Sequence, residues 1–454
     1  MLVDQTSGPS PRTRRTPNRW VLIAAGLSLV AFGAVGTWSW LQAPSSAVTA
    51  SAAQPGAARA LPTRIPELQA HLRRVPTDWR AWSALGSAYV DEARTTGNPA
   101  LYPKAEGSLA RSLKLQPEDN DQALAGRGAL ANARHDFTEG LEWAERAVAV
   151  NPRNASALAV YADALVELGR YPEAFEAVQR LVGVAPGGAS YARASYVREL
   201  QGDLPGATRF FELALQSAQG PPDGAFANAY LGELAWNGND LDSAEAAFTR
   251  AVALDPAFPL PAAGLARIAW ARSDLAGATQ RFEDLVERFP VPAYIGELGD
   301  LYAANGQSDA AARQYELVQA QQRLFKVNGV NTDLELSLFN ADHGLDLEGG
   351  LTAARAEWKR RHSVFVADTL AWLLHANGRN EEAIRYADEA LRLGTRNPLI
   401  LFHRGMINHE LGRSDAARRD LEAALALNPK FSILHAGTAA DTLAQLPAAP
   451  EGPR

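Results

Sequence analysis

The sequence predicts an all-α repeat protein, built from short amphipathic helix pairs that stack on one another. Two observations carry this prediction. The stretch 152–186 holds two amphipathic segments separated by a turn, and the prolines at its ends, Pro152 and Pro186, are 34 residues apart. The prolines Pro256 and Pro290 repeat that spacing further along the chain. Neither helix of such a pair can bury its apolar face alone, so each pair needs a neighbour.

Composition limits the classes of protein to which the chain can belong. Its 454 residues suffice for several ordinary domains or for one long array, and 47% apolar with 21% charged residues is a globular composition. The net charge of −7 gives no basic surface for nucleic acid, so we predict no nucleic-acid partner. Cysteine is absent, which excludes disulfides, thiolate catalysis and cysteine-bound metals.

The N-terminal part is predicted to export the rest of the chain. Residues 1–19 are polar and basic, with four arginines, and residues 20–41 carry no charge. A 22-residue helix over that apolar stretch would span roughly 30 Å, the thickness of the hydrocarbon core. We therefore predict a cytoplasmic basic tail over 1–19, a single-pass transmembrane helix over 20–41 and an extracytoplasmic location for everything that follows. The alternative is a cleavable signal peptide that ends near Ala50 and a secreted protein.

The remaining boundaries follow from composition and periodicity. Residues 42–62 are rich in Ala, Ser and Pro, which is typical of a flexible linker. The array is predicted over 63–446, with its repeats at about 76–429. One helix, which includes Ile65, Leu68 and Leu72, would cap its beginning, and a helix over 431–446 would cap its end. The tail 447–454 is predicted to be disordered.

The first complete unit carries the most informative motif, Trp82-x2-Leu85-Gly86-x2-Tyr89, followed by Ala105, Leu109 and Pro117. It resembles the tetratricopeptide repeat, and the resemblance extends over residues 76–429 as about ten helix pairs. The segments 338–344 and 368–372 also resemble blocks of bacterial exported repeat proteins. The resemblance implies a right-handed superhelix whose first helices line a concave groove, and in this family the groove binds proteins or peptides.

The same resemblance predicts which side chains face the groove. The last three units place apolar, aromatic and ionisable residues at the family's groove positions, and earlier units add two tryptophans. The predicted partner-binding residues are Trp236, Trp270, Asp342, Phe365, Asp368, Trp372, His375, Phe402, Met406, His409 and Glu410. Aromatic and methionine side chains suit adaptable binding surfaces.

The sequence therefore predicts a protein-binding scaffold that is not an enzyme and needs no cofactor or metal. It contains no phosphate-binding loop and no nucleophile elbow, and Arg413 stands where a zinc-protease motif starting at His409 would need histidine. The alternative function is a metal- or small-ligand-binding module around His375 and His409, which occupy equivalent positions of adjacent repeats. Those two histidines can equally be groove residues that bind nothing.

Overall fold

The computed structural model describes residues 61–96, 98–327 and 329–447 of the chain. Within these ranges the chain forms 22 α-helices and one short 3-10 turn at Pro99–Leu101. The helices are arranged as ten consecutive pairs, with one further helix before the first pair and one after the last. The predicted all-α array of about ten pairs with terminal capping helices is confirmed.

The helix before the first pair, α1, is Leu61–Arg74, and the helix after the last pair, α22, is Ala436–Gln445. The ten pairs between them are α2 Trp79–Thr96 with α3 Tyr102–Leu115, α4 Asp121–Ala133 with α5 Phe137–Val150, α6 Ala155–Glu167 with α7 Tyr171–Val184, α8 Gly188–Leu200 with α9 Leu204–Gln216, α10 Pro221–Asn237 with α11 Leu241–Leu254, α12 Pro259–Ala271 with α13 Leu275–Arg288, α14 Pro292–Ala304 with α15 Ser308–Val327, α16 Asp333–His343 with α17 Leu347–Arg360, α18 Val364–Ala376 with α19 Asn380–Ala390, and α20 Pro398–Glu410 with α21 Ser414–Leu427.

The turns inside the pairs share one backbone device. In nine of the ten pairs a residue with positive φ reverses the chain between the two helices: His135, Gly169, Gly202, Asn239, Ser273, Gly306, Gly344, Gly378 and Gly412. In several pairs the next residue is an aspartate that caps the second helix. Asp203 and Asp274, for example, each accept a hydrogen bond from the backbone N–H three residues on, at 2.9 Å. Turn and cap together fix where each second helix begins.

The motif of the first unit explains how a pair packs. Leu85 and Tyr89 of α2 are buried with Ala105 and Leu109 of α3 in one apolar cluster. Trp82 stays half-buried at the edge of that cluster, and its Nε1 donates to the carbonyl of Pro76 at 3.0 Å. The apolar face of the first helix is thus covered by its own partner helix, as the motif predicts.

The array also winds back on itself. The turn inside pair 2 contacts the loop that follows pair 7. The turns inside pairs 3, 4 and 5 contact the loops that follow pairs 8, 9 and 10 in the same way. The backbone N–H of Val364 donates to the Tyr171 hydroxyl at 2.8 Å, and the Thr395 hydroxyl donates to the Leu200 carbonyl at 2.6 Å. These contacts recur at sequence separations of 192 to 196 residues. One superhelical turn is therefore complete within the array, and the next turn rests on it.

Two turn glycines are required at this contact for two reasons. Gly169 and Gly202 have φ values of +78° and +74°, which side chains rarely adopt. A Cβ at Gly169 would also lie 2.3 Å from the carbonyl oxygen of His362, and one at Gly202 would lie 2.3 Å from that of Gly394. Any side chain at either position would force the two superhelical turns apart.

Two predictions about the ends of the array need correction. The last helix begins at Ala436 and not at 431, because residues 428–435 form turns and irregular backbone. The predicted fold class is also wrong in its transmembrane helix. Among the residues that the structure describes, no helix combines the length and apolar character needed to cross a membrane. The stretch 20–41, on which that helix was predicted, lies outside the described residues.

Candidate functional site

The residues between the last pair and α22, 428–435, lie against the first helices of the array, and we call them the inner segment. Asn428 Nδ2 donates to the carbonyl of Trp236 in α10 at 2.8 Å. The Lys430 ammonium lies 5.4 Å from the centroid of the Trp270 ring in α12. The beginning of the inner segment is thus held by pairs 5 and 6.

The rest of the inner segment reaches the other first helices. Phe431 is fully buried, with its ring centroid 5.7 Å from that of Phe402 in α20. Ile433 packs against the apolar cluster of α12 to α14. His435 Nε2 lies 3.0 Å from Asp342 Oδ1 in α16, and its ring contacts Trp372 in α18. A segment in contact with six successive first helices lies on the surface that those helices form together, which is the predicted groove.

The structure distributes the predicted groove residues over three environments. Four of them are buried: Trp236, Asp368, Trp372 and Phe402. Six are partly exposed: Trp270, Asp342, Phe365, His375, Met406 and His409. Only Glu410 is exposed. The expectation that Trp372 and Phe402 face an open groove is wrong, because the inner segment and neighbouring helices cover both side chains. Trp372 is 7% exposed and Phe402 is 1% exposed. Their role in binding a partner stays a prediction.

Trp372 organises a stack of rings at the centre of this region. Its ring lies 4.2 Å from that of His403, nearly parallel, and 4.8 Å from that of His375. Its Nε1 donates to Asp342 Oδ1 at 2.8 Å. The indole therefore fixes α16, α18 and α20 relative to one another through apolar contact and one hydrogen bond.

Asp342 is the ionisable centre of the same region. Burial alone would raise the pKa of its carboxyl, but the charge and hydrogen bond of His435, together with the nearby His403 and His343, lower that pKa below its usual value. The carboxylate is therefore charged at neutral pH. Its ligand oxygen and one ring nitrogen each of His403 and His435 all lie within 4.8 Å of one another.

A cavity of about 110 Å³ adjoins this cluster. Asp342 and His435 form part of its wall, and Asp300 and His343 form another part. The His343 ring nitrogen lies 2.9 Å from Asp300 Oδ1. Although burial alone would lower the pKa of His343, the hydrogen bond and charge of Asp300 raise it above its usual value. The cavity has room for several water molecules, and the charged side chains in its wall offer them hydrogen-bond partners.

The histidines singled out by sequence do not converge. His375 Nδ1 lies 2.7 Å from the side-chain oxygen of Asn380, and burial lowers its pKa. In the part of the chain that the structure describes, neither His375 nor His409 belongs to a group of three side chains close enough together to bind one metal ion. His403 and His435 were not among the histidines predicted to bind a ligand. The available signal was the clustering of six of the eight histidines between 343 and 435.

Earlier first helices carry buried carboxyl groups of their own. Glu199 of α8 is 8% exposed, and its Oε2 has no hydrogen-bond partner within the described ranges. Burial raises the pKa of this carboxyl to about 8, and the charge of Glu233 on α10 adds to the effect. Glu233 itself faces Arg267 at 3.3 Å. Glu199 is therefore largely protonated in the folded protein at neutral pH.

The substitution Glu199→Gln is expected to make the protein more stable at pH 8 and to change little at pH 5. With a folded pKa of about 8 and an unfolded pKa near 4.5, the Glu199 contribution is fully present below pH 4.5 and is lost as pH rises through 8. Glutamine does not titrate, so at pH 8 the free energy of unfolding of Glu199→Gln should exceed that of the wild type by on the order of a few kcal/mol. Thermal melts at both pH values measure it, with the exposed Glu212→Gln as control. Equal pH profiles for wild type and Glu199→Gln would contradict the buried neutral carboxyl.

Comparisons with known proteins agree with the repeat architecture. One family profile described as "Tetratricopeptide repeat" matches residues 124–189, 162–224, 264–323 and 369–430, and a second with the same description matches 229–258. A search of curated protein sequences gives no significant match.

Two solved structures are similar to the chain at low identity. The human IFIT1 dimer with PPP-AAAA is 14% identical over 81% of this chain and 90% of that one, with a TM-score of 0.43. Pseudomonas aeruginosa pilF is 18% identical over 47% of this chain and 92% of that one, with a TM-score of 0.36. Values of this size do not assign a function. The family profiles together match more than half of the residues, with ten helix pairs in the structure. The chain therefore belongs to the tetratricopeptide-repeat family.

Proposed function

We propose that this protein is an interaction scaffold whose groove, formed by the first helices of pairs 5–10, binds a short peptide segment of a partner protein. The observation that supports the proposal is the inner segment itself. It is a short, irregular piece of chain held by first helices of six pairs, and it displays the chemistry that the groove accepts.

The contacts of the inner segment define that chemistry. Its alternate residues Phe431, Ile433 and His435 each occupy a different part of the groove. Asn428 adds a hydrogen bond to the carbonyl of Trp236 at the end of α10, which also accepts one from the backbone N–H of Asn239. A partner segment would present an aromatic residue and an aliphatic residue two positions apart, followed by a hydrogen-bond donor that reaches Asp342. Such a partner must displace the inner segment, which is a competitor of high effective concentration.

A labelled peptide with the sequence of 428–435, Asn-Pro-Lys-Phe-Ser-Ile-Leu-His, tests the proposal. We expect it to bind the Phe431→Ala variant at least about tenfold more tightly than the wild type, because truncation of Phe431 weakens the internal competitor. Fluorescence anisotropy gives the two Kd values. A peptide with alanine at both apolar positions is the control and should not bind.

The outcome that contradicts the proposal is equal or non-saturable binding to both proteins. Loss of binding when Asp342→Asn is added to Phe431→Ala would place the peptide in the groove and not on the outer surface. The exposed Arg419→Ala on α21 is the matched control and should leave the Kd unchanged.

We further infer that the array works outside the cytoplasm, since a basic segment followed by an apolar one is typical of an export signal. We infer only that the array is exported. A C-terminal fusion to an enzyme that is active only outside the cytoplasm checks the location, and an inactive but intact fusion would contradict it.

A further inference from the structure

Three potential metal ligands converge from three separate parts of the chain. Asp342 lies on α16, His403 on α20, and His435 at the end of the inner segment. Their ligand atoms lie within 4.8 Å of one another, a spacing at which one cation can be reached by all three after small movements. Two imidazole nitrogens and one carboxylate oxygen form a donor set that suits zinc and related divalent transition metals.

His403 provides the second, independent observation. It is fully buried, and its Nδ1 lies 3.0 Å from both carboxylate oxygens of Asp368. A carboxylate only accepts hydrogen bonds, so this nitrogen carries the proton and donates it. In the neutral imidazole the other nitrogen, Nε2, holds a lone pair, and no described residue donates a hydrogen bond to it. A buried polar atom without a partner is destabilising, and a bound cation would supply the missing partner.

The three candidate ligands include two whose side chains are held by hydrogen bonds of the kind found around metal ligands in proteins. A histidine ligand ordinarily donates its second ring nitrogen to a carboxylate, which fixes the tautomer and the direction of the ring. Asp368 does this for His403. Trp372 Nε1 does the equivalent for Asp342 by donating to Oδ1 at 2.8 Å. The orientation of both ligands is therefore set before any cation arrives.

The geometry points to a binding site for one divalent transition-metal cation of the zinc type, ligated by Asp342, His403 and His435. His435 Nε2 donates a hydrogen bond to Asp342 Oδ1 at 3.0 Å. That proton must leave the nitrogen before its lone pair can bind the cation, so binding releases or relocates one proton. The adjoining cavity, whose wall includes Asp342 and His435, leaves room for a water molecule as a fourth ligand.

The site goes beyond the proposed function and stands on observations of its own. It also has a structural consequence, because His435 belongs to the inner segment while the other two ligands belong to the array. A bound cation would fasten the inner segment to α16 and α20. Metal binding is then expected to slow hydrogen exchange of the backbone amides of 431–439.

Zinc titration of the full-length chain tests the site. The protein is purified without a polyhistidine tag, stripped with a chelator and titrated by calorimetry, with elemental analysis for stoichiometry. We expect one equivalent of Zn²⁺ per chain and no response to Ca²⁺ or Mg²⁺, which prefer oxygen ligands. Visible absorption of the Co²⁺-loaded protein reports the number of ligands. Asp368→Asn should weaken Zn²⁺ binding about 10–100-fold through the orientation of His403.

The ligand substitutions Asp342→Asn and His435→Gln should each abolish the stoichiometric binding, and His375→Ala should not. His375 is the matched control because it stacks on the same Trp372 ring without offering a ligand to the cluster. The far-ultraviolet circular dichroism of each variant shows whether it folds. If Asp342→Asn does not fold, His435→Gln still tests the site, because it changes only a residue of the inner segment. A folded wild type that takes up no zinc would overturn the proposal. So would equal zinc uptake by the wild type and both ligand variants.

Discussion

Replacement of Arg361 by methionine is expected to lower the free energy of unfolding by about 3–5 kcal/mol. The Arg361 guanidinium is 3% exposed and pairs with Glu167 of pair 3 and Glu357 of pair 8. Although burial alone would lower the pKa of Arg361, these carboxylates raise it above its usual value. Methionine would leave the buried Glu167 without its cation and Glu357 with only the half-exposed Arg360, in the contact between successive superhelical turns. Chemical denaturation followed by circular dichroism measures the loss.

The neighbouring Arg360→Met is the matched control, since the Arg360 side chain is 52% exposed and should contribute less than about 1 kcal/mol. Adding Glu167→Gln to Arg361→Met should restore part of the stability, because burial already raises the pKa of the Glu167 carboxyl to about 7 and glutamine cannot ionise there. Small-angle scattering of Arg361→Met should show a larger radius of gyration, because the variant weakens the contact that closes the turn. Equal losses for Arg360→Met and Arg361→Met would show that this contact does not hold the array closed.

Replacement of Phe431 by alanine is expected to lower the free energy of unfolding by about 3–5 kcal/mol, which is the usual range for removing a fully buried phenylalanine. The effect should be local. Phe431 contacts Phe402 from the inner segment, so its loss should release 428–435 and the attached helix α22 while the preceding pairs keep their structure. In a repeat array, each pair is stabilised mainly by its neighbours. Hydrogen exchange measured along the chain separates local from global opening.

Leu254→Ala, at a position that is 40% exposed, is the control for the loss of an apolar side chain and should change stability by about 1 kcal/mol or less. Faster exchange confined to about 428–446 in Phe431→Ala would support a displaceable inner segment. Uniformly faster exchange along the whole array would instead make Phe431 an ordinary core residue, and the peptide-binding proposal would lose its basis.

The helix pairs could be predicted because their information is local. The prolines that end each unit, the turn glycines and the spacing of Leu85 and Tyr89 act within one pair or between neighbours, where sequence distance and spatial distance agree. The candidate site was predicted only in part. Asp342, Asp368 and Trp372 were predicted on one surface, and the structure joins Trp372 to Asp342 directly and to Asp368 through His403. His403 was missed because a position that the family pattern assigns to helix packing gives no sign of pointing at a carboxylate 35 residues away.

The sequence by itself determined that this protein is an array of ten helix pairs, because each pair is specified by its own apolar period and turn residues. Only the tertiary structure decided what the groove contains. The small rotation between one pair and the next accumulates over five pairs, and its sum determines that residues 192 to 196 positions apart meet. The same winding brings 428–435 under the first helices and His435 to Asp342. No short-range pattern records such a sum, so the closure of the array and its candidate metal ligands became visible only in the folded chain.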